Sequence, residues 1–310
     1  MRVLVTGGTG LIGRALVADL ARDAHEVVVL SRNPVNAPAL PPGVEVQPWD
    51  ARTTAGWGAL VNGIDVIVNL AGENISAGRW TAARKTRIVQ SRLEAGRALV
   101  EAVAAATRKP RALIQASAAG YYGPHGAEPL TEDAPPGNDW LSQLAVEWEA
   151  ITRPVEDFGV RRAVIRTGVV LSLEGGALPK MALPFRFFAG GPVGNGRQPF
   201  PWIHLADEVA AIRFLIDQQE ARGPFNLTAP QALNNAEFSR ALGRALRRPA
   251  WLPVPGLALR LLFGQMATVL LTGQNAVPTK LQQMGFTFRF PTIDAALSDL
   301  FQHVIKTASQ

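Results

Sequence analysis

The chain has 310 residues, 47 % of them hydrophobic, a formal net charge of +6 and no cysteine. That is ample apolar material for a packed core in one two-lobed protein or two small domains, and the missing thiol excludes disulfides, thiolate catalysis and cysteine-ligated metals. The positive charge is dispersed and arginine-rich, with no dense run or recognition motif, so no nucleic-acid partner is expected; some of the arginines suit phosphates of a small ligand instead.

The first residues, Met1 to Val5, run straight into glycines. They lack the longer apolar stretch and small-residue cleavage site of a secretion signal, and a cytoplasmic setting is the expectation. Arg2–Thr6 is predicted as a strand, Leu11–Arg22 as a helix, and Glu26–Ser31, Val44–Gln47 and Asp65–Leu70 as further strands. The continuous apolar character of the last suits a parallel strand buried on both faces. A long helical stretch runs from Arg79 to Thr107 and stops before Pro110; Arg111–Ala116 is the fifth strand, Leu141–Phe158 is helical, and Arg161–Thr167 is the sixth strand. Strands alternating with helices imply an α/β fold with a doubly wound parallel sheet of Rossmann type.

After Gly168 the texture changes. Glycine and proline crowd Gly175–Pro201 between aromatic residues, which suits an ordered, ligand-facing loop with short strands. A helix is predicted at Ala206–Gln218, and Phe225–Thr228 can return to the sheet. Helices at Asn235–Leu246, Gly256–Leu271 and Pro278–Met284, an edge-like strand at Gly285–Phe290 and a closing helix at Ile293–His303 make a smaller, mostly helical C-terminal lobe. The apolar stretch Val254–Leu271 is broken by Pro255, Arg260, Gly264 and Gln265, so no membrane span is expected. The division expected is a nucleotide-binding domain at 1–170, its sheet completed by 224–229, and substrate-pocket loops with the C-terminal lobe at 171–310.

The sharpest motif is Gly7-Gly8-Thr9-Gly10-Leu11-Ile12-Gly13 between the first strand and the first helix. Glycine there permits a tight turn and close approach of a pyrophosphate, and the helix N-terminus offers amide N–H groups and the positive end of its dipole. Gly7, Thr9, Gly10, Leu11, Ile12 and Gly13 are therefore candidate dinucleotide contacts. The second strand ends at Ser31-Arg32, where a protein selective for NAD usually places an acid for the ribose 2′-hydroxyl. Ser31 and Arg32 suit a 2′-phosphate, so NADP(H) is expected ahead of NAD(H). Asp50 is a candidate acceptor for the adenine amino group, or else a cap. The fourth strand runs into Leu70, Ala71, Gly72 and Glu73, small enough on average for a ribose or nicotinamide to pass. A Glu73–Arg79 ion pair is a candidate for shaping the cofactor entrance.

Several motifs together resemble the extended short-chain dehydrogenase/reductases, and more narrowly the atypical epimerase-family proteins with a C-terminal domain of unknown function. They are Thr6–Gly13, Val29–Pro34, Asn69–Asn74, Ala116–Gly123, Glu147–Glu149, Arg166–Leu171, Gly190–Asp207, Asn226–Phe238 and Pro278–Phe286. The resemblance spans essentially the whole chain and implies a Rossmann domain with NADP(H), without supplying a substrate. It also implies a Tyr-x-x-x-Lys pair for proton transfer, and here the chain departs. Its only tyrosines are Tyr121 and Tyr122, with His125 and Gly126 four residues on, and alignment on Glu149 puts Leu141 and Ala145 at the two positions.

The remaining candidates for chemistry are Ser117, just past the fifth strand, and Tyr122, with Tyr121 beside it lining the pocket. Arg197, Trp202 and His204 are candidate substrate contacts, and Asp207 is placed to orient the His204 imidazole. Four scattered histidines give no metal-ligand spacing. Two readings stand. One is an NADP(H)-binding epimerase- or oxidoreductase-like enzyme for a small substrate, nucleotide-sugar-like on the resemblance. The other is a catalytically weak or inactive NADP(H)-binding sensor or scaffold. A homodimer through the Arg79–Thr107 and Leu141–Phe158 helices is the expected assembly by analogy with the fold.

Overall fold

The computed structural model of the chain describes residues 1–35 and 37–307; residues 308–310 of the expected C-terminal lobe lie outside the described residues. Runs of valine, leucine and isoleucine build the first elements: β1 (Arg2–Thr6), α1 (Leu11–Arg22), β2 (Glu26–Ser31), β3 (Glu45–Pro48) and β4 (Val66–Asn69). Then follow α2 (Ala82–Ala105), β5 (Ala112–Ala118), the two-residue β6 (Pro129–Leu130), α3 (Trp140–Ala150) and β7 (Arg161–Thr167). The second half comprises β8 (Val169–Leu171), α4 (Leu178–Arg186), β9 (Trp202–His204), α5 (Leu205–Asp217) and β10 (Gly223–Leu227), then α6 (Asn235–Leu246), α7 (Gly256–Phe263), α8 (Thr268–Leu271), β11 (Asn275–Ala276), α9 (Thr279–Gln283) and α10 (Ile293–Thr307).

Seven strands form one parallel sheet in the order β10-β7-β5-β4-β1-β2-β3. Successive side chains leave a strand on opposite faces. Val3 and Val5 pack with Leu16, Leu20 and Ile212 on one side, while Leu4 packs with Ala98 and Leu99 on the other. Both faces are covered, which is why β1, β2 and β4 read as unbroken aliphatic runs rather than alternating ones. Each such side chain contributes roughly 1.5–3 kcal/mol by leaving water. A third cluster, centred on Phe185, Trp202, Phe238 and Phe301, holds the mostly helical C-terminal lobe. The strand order reverses between β1 and β4, and that crevice at the carboxyl ends is where α/β sheets place ligands. No helix among the described residues is long and apolar enough to cross a membrane.

Several boundaries differ from the sequence reading for identifiable reasons. The helix expected from Arg79 begins at Ala82, because the Thr81 side chain accepts from Arg84 N and caps it. The stretch 141–158 splits: α3 ends at Ala150, and Arg153–Phe158 is a 3₁₀ turn ending on Gly159 at a left-handed φ of 79°. Gly175–Pro201 contains α4, with Pro179 near its start. Gly256–Leu271 breaks after Phe263. Gly285–Phe290 alternates in hydropathy yet forms no strand. Asp207 accepts from the backbone N–H groups of Arg289 and Phe290 at 2.8 and 2.9 Å, while Phe286 packs on Phe214 and Phe288.

The first turn is the tightest part of the sheet's ligand edge. Gly7 has φ +67°, and a Cβ there would meet Leu70 O at 2.6 Å; a Cβ on Gly13 would stand 2.2 Å from Gly7 O and 2.7 Å from Gly8 Cα. Backbone cannot yield as a flexible side chain can. Gly13→Ala is expected to lower stability by about 1–3 kcal/mol through overpacking, measured by urea unfolding; an unchanged midpoint would contradict the close approach.

Candidate functional site

The glycine turn delivers α1 with its N-terminus open. Gly10 occupies the cap position without a side-chain acceptor, and the first turn holds no acidic residue. Gly10 N donates back to Gly7 O at 2.9 Å and fixes the turn. The first-turn amides, beginning with Leu11 and Ile12, are thus uncapped from the side and bear the positive end of the dipole. The space that side chains at Gly7 and Gly13 would fill is a cradle of the kind a pyrophosphate needs. Beyond it Ser31 is buried and Arg32 exposed, at the end of β2.

Behind the turn lies a polar chain that the sequence reading missed. Thr6, Asn69 and Gln115 share one register position on β1, β4 and β5. Thr6 Oγ1 donates to Asn69 Oδ1 at 2.6 Å, Asn69 Nδ2 to Gln115 Oε1 at 2.8 Å, and Gln115 Nε2 to Ala116 O at 2.7 Å; Ala71 N closes on Thr6 Oγ1 at 3.2 Å. Fully satisfied, it locks the three strand ends and the Leu70–Gly72 segment where β1 and β4 diverge. The available signal was a polar residue ending, or nearly ending, each apolar strand.

The residues proposed for the cofactor's periphery are engaged with protein. Asp50 is exposed and accepts from Thr53 N and Arg52 N, both at 2.8 Å; these donors hold its carboxyl below the usual range. This is the turn-cap arrangement. The expected Glu73–Arg79 pair does not form. Glu73 faces Arg84 and Arg87 at 3.8 and 3.6 Å, and Arg79 instead donates to Leu261 O at 3.1 Å, reaching the C-terminal lobe.

The candidates for chemistry sit elsewhere than the sequence suggested. Tyr122 is fully buried, and its hydroxyl donates to Asn226 Oδ1 at 2.7 Å and accepts from Arg166 Nη1 at 3.0 Å. Burial pushes the phenol up, against the opposing pull of Arg166, the reverse of an activated phenol. The Tyr121 ring lies against the Arg166 guanidinium at 3.4 Å and lines a surface groove with Val146 and Arg153. Ser117 donates to Glu149 Oε1 at 2.7 Å, and Arg166 grips the same carboxylate from Nε and Nη2 at 2.9 and 3.0 Å. Trp202 is buried in the C-terminal lobe and donates to Gln231 O. His204 Nδ1 accepts from Ala206 N, and Nε2 lies 3.4 Å from Asp299; Asp207 is turned away to Arg289 and Phe290. Burial lowers the His204 pKa. Arg197 is exposed beside the cleft residue Gln198.

What opens beside the strand ends is an apolar cleft of about 320 Å³. Ala118 and Ala119 from the end of β5 form its floor, with Thr167, Gly168 and Val169 from the β7–β8 passage. Leu141, Leu144, Ala145 and Trp148 of α3 line one wall; Met181, Phe200 and Val269 come from the second half of the chain, and Arg92 from α2. Leu141 and Ala145 therefore line the cleft, whereas Ser117, Tyr121, Tyr122, Trp202 and His204 do not. Met181 was hidden because α4 went unrecognised, and Arg92 because it lies deep in a long helical pattern.

One buried acid touches this lining. Glu208 is fully buried; Thr167 Oγ1 donates to its Oε1 at 2.8 Å, and Oε2 has no partner among the described residues. Burial pushes the carboxyl up to about 8, the Thr167 bond opposing. The folded chain thus holds this proton more tightly than the unfolded chain, whose ordinary value is 4.5. Its effect on stability is absent below that value and erodes stability as pH rises towards 8. Glu208→Gln is expected to gain on the parent by about 1.4 kcal/mol per pH unit between pH 5 and 8, read from urea midpoints; a difference independent of pH would refute this.

Comparison with known proteins comes to the same fold. The pattern of the NAD dependent epimerase/dehydratase family matches residues 3–228, and a domain of unknown function (DUF1731) matches 254–300. The epimerase family protein SDR39U1 of Bos taurus is 41 % identical over 305 residues, covering 97 % of this chain and 99 % of that one. The epimerase family protein SSP1921 of Staphylococcus saprophyticus is 41 % identical over 301 residues, covering 96 % and 98 %. Among solved structures, human SDR39U1 (isoform 2) with NADPH superposes with a TM-score of 0.86 at 36 % identity, covering 97 % of this chain and 99 % of that one. A UDP-glucose 4-epimerase of Thermotoga maritima superposes with a TM-score of 0.80 at 16 % identity, covering 99 % and 100 %, a likeness of fold alone.

Proposed function

This chain belongs to the NAD dependent epimerase/dehydratase family, and from that footing we propose that it binds NADP(H) across the crevice between β1 and β4. The cofactor then serves a small substrate in the apolar cleft, in an epimerase- or reductase-like role. The observation that carries the reading is the glycine cradle closed by an uncapped helix N-terminus, which adjoins that crevice. NADPH bound to the human relative supports the choice of cofactor, as do Ser31 and Arg32 where an acid would favour NAD. When bound, the cofactor supplies a hydride to or from carbon. The chain's own part is to hold the pyrophosphate on the α1 amides, meet the 2′-phosphate with Arg32, and keep water from the reacting end with Leu141, Val169 and Phe200. A cytoplasmic setting and a homodimer belong to the same reading.

A second reading has its own observation. Leu141 and Ala145 line the cleft where the resemblance implies a phenol and an ammonium, and both tyrosines are held by Arg166 outside it. The ordinary proton-transfer pair is missing, which favours a cofactor-binding sensor or scaffold with weak turnover.

Titration of the purified chain with NADPH and NADH by nucleotide fluorescence tests the first reading. Tight NADPH binding is expected, and no binding of either nucleotide would end it. Arg32→Ala is expected to weaken NADPH by about tenfold or more and leave NADH nearly unchanged; equal losses would remove the 2′-phosphate role. Turnover screens with carbonyl compounds and nucleotide sugars then separate the readings, since uniform inactivity favours the sensor.

A further inference from the structure

Two residues that line the cleft carry buried donors without partners among the described residues. Arg92 is 7 % exposed, and its Nη1 donates to Glu73 O and Ile88 O at 3.1 and 3.0 Å, while Nε is buried without any acceptor among the described residues. Trp148 lies under it, with the guanidinium carbon 4.5 Å from the ring centroid, and its Nε1 is also buried without an acceptor. Both residues line the cleft. A guanidinium can only donate, so a ligand that meets Arg92 from the cleft must bring an acceptor.

No carboxylate forms an ion pair with Arg92 among the described residues. Glu73 raises its pKa through space, but the Glu73 carboxylate points at Arg84 and Arg87. Burial wins and pulls the Arg92 guanidinium down to about 10, which leaves it charged at neutral pH. The one carboxylate on the cleft lining, Asp139, accepts from Ser142 N at 2.8 Å as the cap of α3. Burying a cation without a paired anion is unfavourable, and the Trp148 face offsets only part of that.

We propose that the cleft binds an amphiphilic organic anion, its carboxylate or phosphate head received by the Arg92 guanidinium that rests on the Trp148 ring and its apolar body packed against Leu144, Met181 and Phe200. The assignment rests on the reading of this cleft as the substrate site beside the cofactor. It narrows the substrate class from any small molecule to an acid with a hydrocarbon body, and away from a bare, hydroxyl-rich sugar, which would leave its hydroxyls unpaired against apolar walls.

The test compares octanoate, octyl phosphate and the neutral octanamide by calorimetric titration into the full chain with saturating NADPH. At least one of the two anions is expected to bind about tenfold or more tighter than the amide, as a charge-assisted hydrogen bond requires; which anion is tighter identifies the head group. Arg92→Gln is expected to abolish the preference for the anion within that variant, and Arg92→Lys to retain part of it. A ratio taken within one protein is insensitive to general loosening of the fold. Equal binding of acids and amide, binding of none, or a preference that survives in Arg92→Gln would overturn the proposal. So would a loss of NADPH affinity in Arg92→Gln as large as the loss of preference, since that assigns Arg92 to the cofactor. NADPH titration of the parent chain is read separately, so failure of the cofactor reading is told apart from failure of this one.

Discussion

A single buried guanidinium organises the ligand edge of this molecule. Arg166 leaves the end of β7 and grips Glu149 of α3 with two nitrogens, while its third reaches both the Tyr122 hydroxyl and Glu132 O. Its flat face receives the Tyr121 ring. Arginine can do this because its planar fork bonds in the plane and stacks out of it. The outcome is chemical as well as mechanical. The only two phenols in the chain are committed to structure, and the helix bearing Leu141 and Ala145 is fastened to the sheet through Glu149. Removing one partner of such a pair strands the other charge away from water, so the arrangement acts as a unit.

Parts of the molecule dictated by backbone geometry were readable from composition and spacing. The glycine turn is one: only a residue without Cβ fits at Gly13, so the sequence must announce it. The aliphatic strands are another, because burial on both faces leaves no room for polar residues. Positions decided by tertiary contact were not readable. Tyr122 ends the short turn after β5, yet whether its ring faces a cleft or the interior depends on Asn226, more than a hundred residues later. Ser117 and Ala118 are neighbours on one strand and point to opposite sides, so a one-residue difference in alignment exchanges a hydroxyl for a methyl at the cleft. His204 and Asp207 have a spacing that suits a pair, but the first turn of α5 turns Asp207 to the chain at Arg289.

The cleft itself is a composite. Its floor comes from strand ends in the first half, and much of its wall from α4, α8 and the passage before β9. Proline and glycine in Gly175–Pro201 suggested an ordered, ligand-facing loop with short strands, but Leu178, Ala182 and Phe185 bury one face of α4 in the C-terminal lobe. That lobe therefore supplies part of the cleft's wall. Its contact with the first half of the chain runs through Arg79 and Leu261 as well.

The sheet's outermost parallel strand has a consequence for how the chain is made. β7 ends at Thr167 and its neighbour β10 begins at Gly223. Until that later segment leaves the ribosome, the edge of β7 stands bare, and Tyr122 and Glu132 lack Asn226 as their partner. An unpaired strand edge above a partly formed core is the kind of surface that recruits another chain. Synthesis of this protein thus passes through a window in which its parallel sheet is nearly built yet adhesive, and the window closes only when β10 docks.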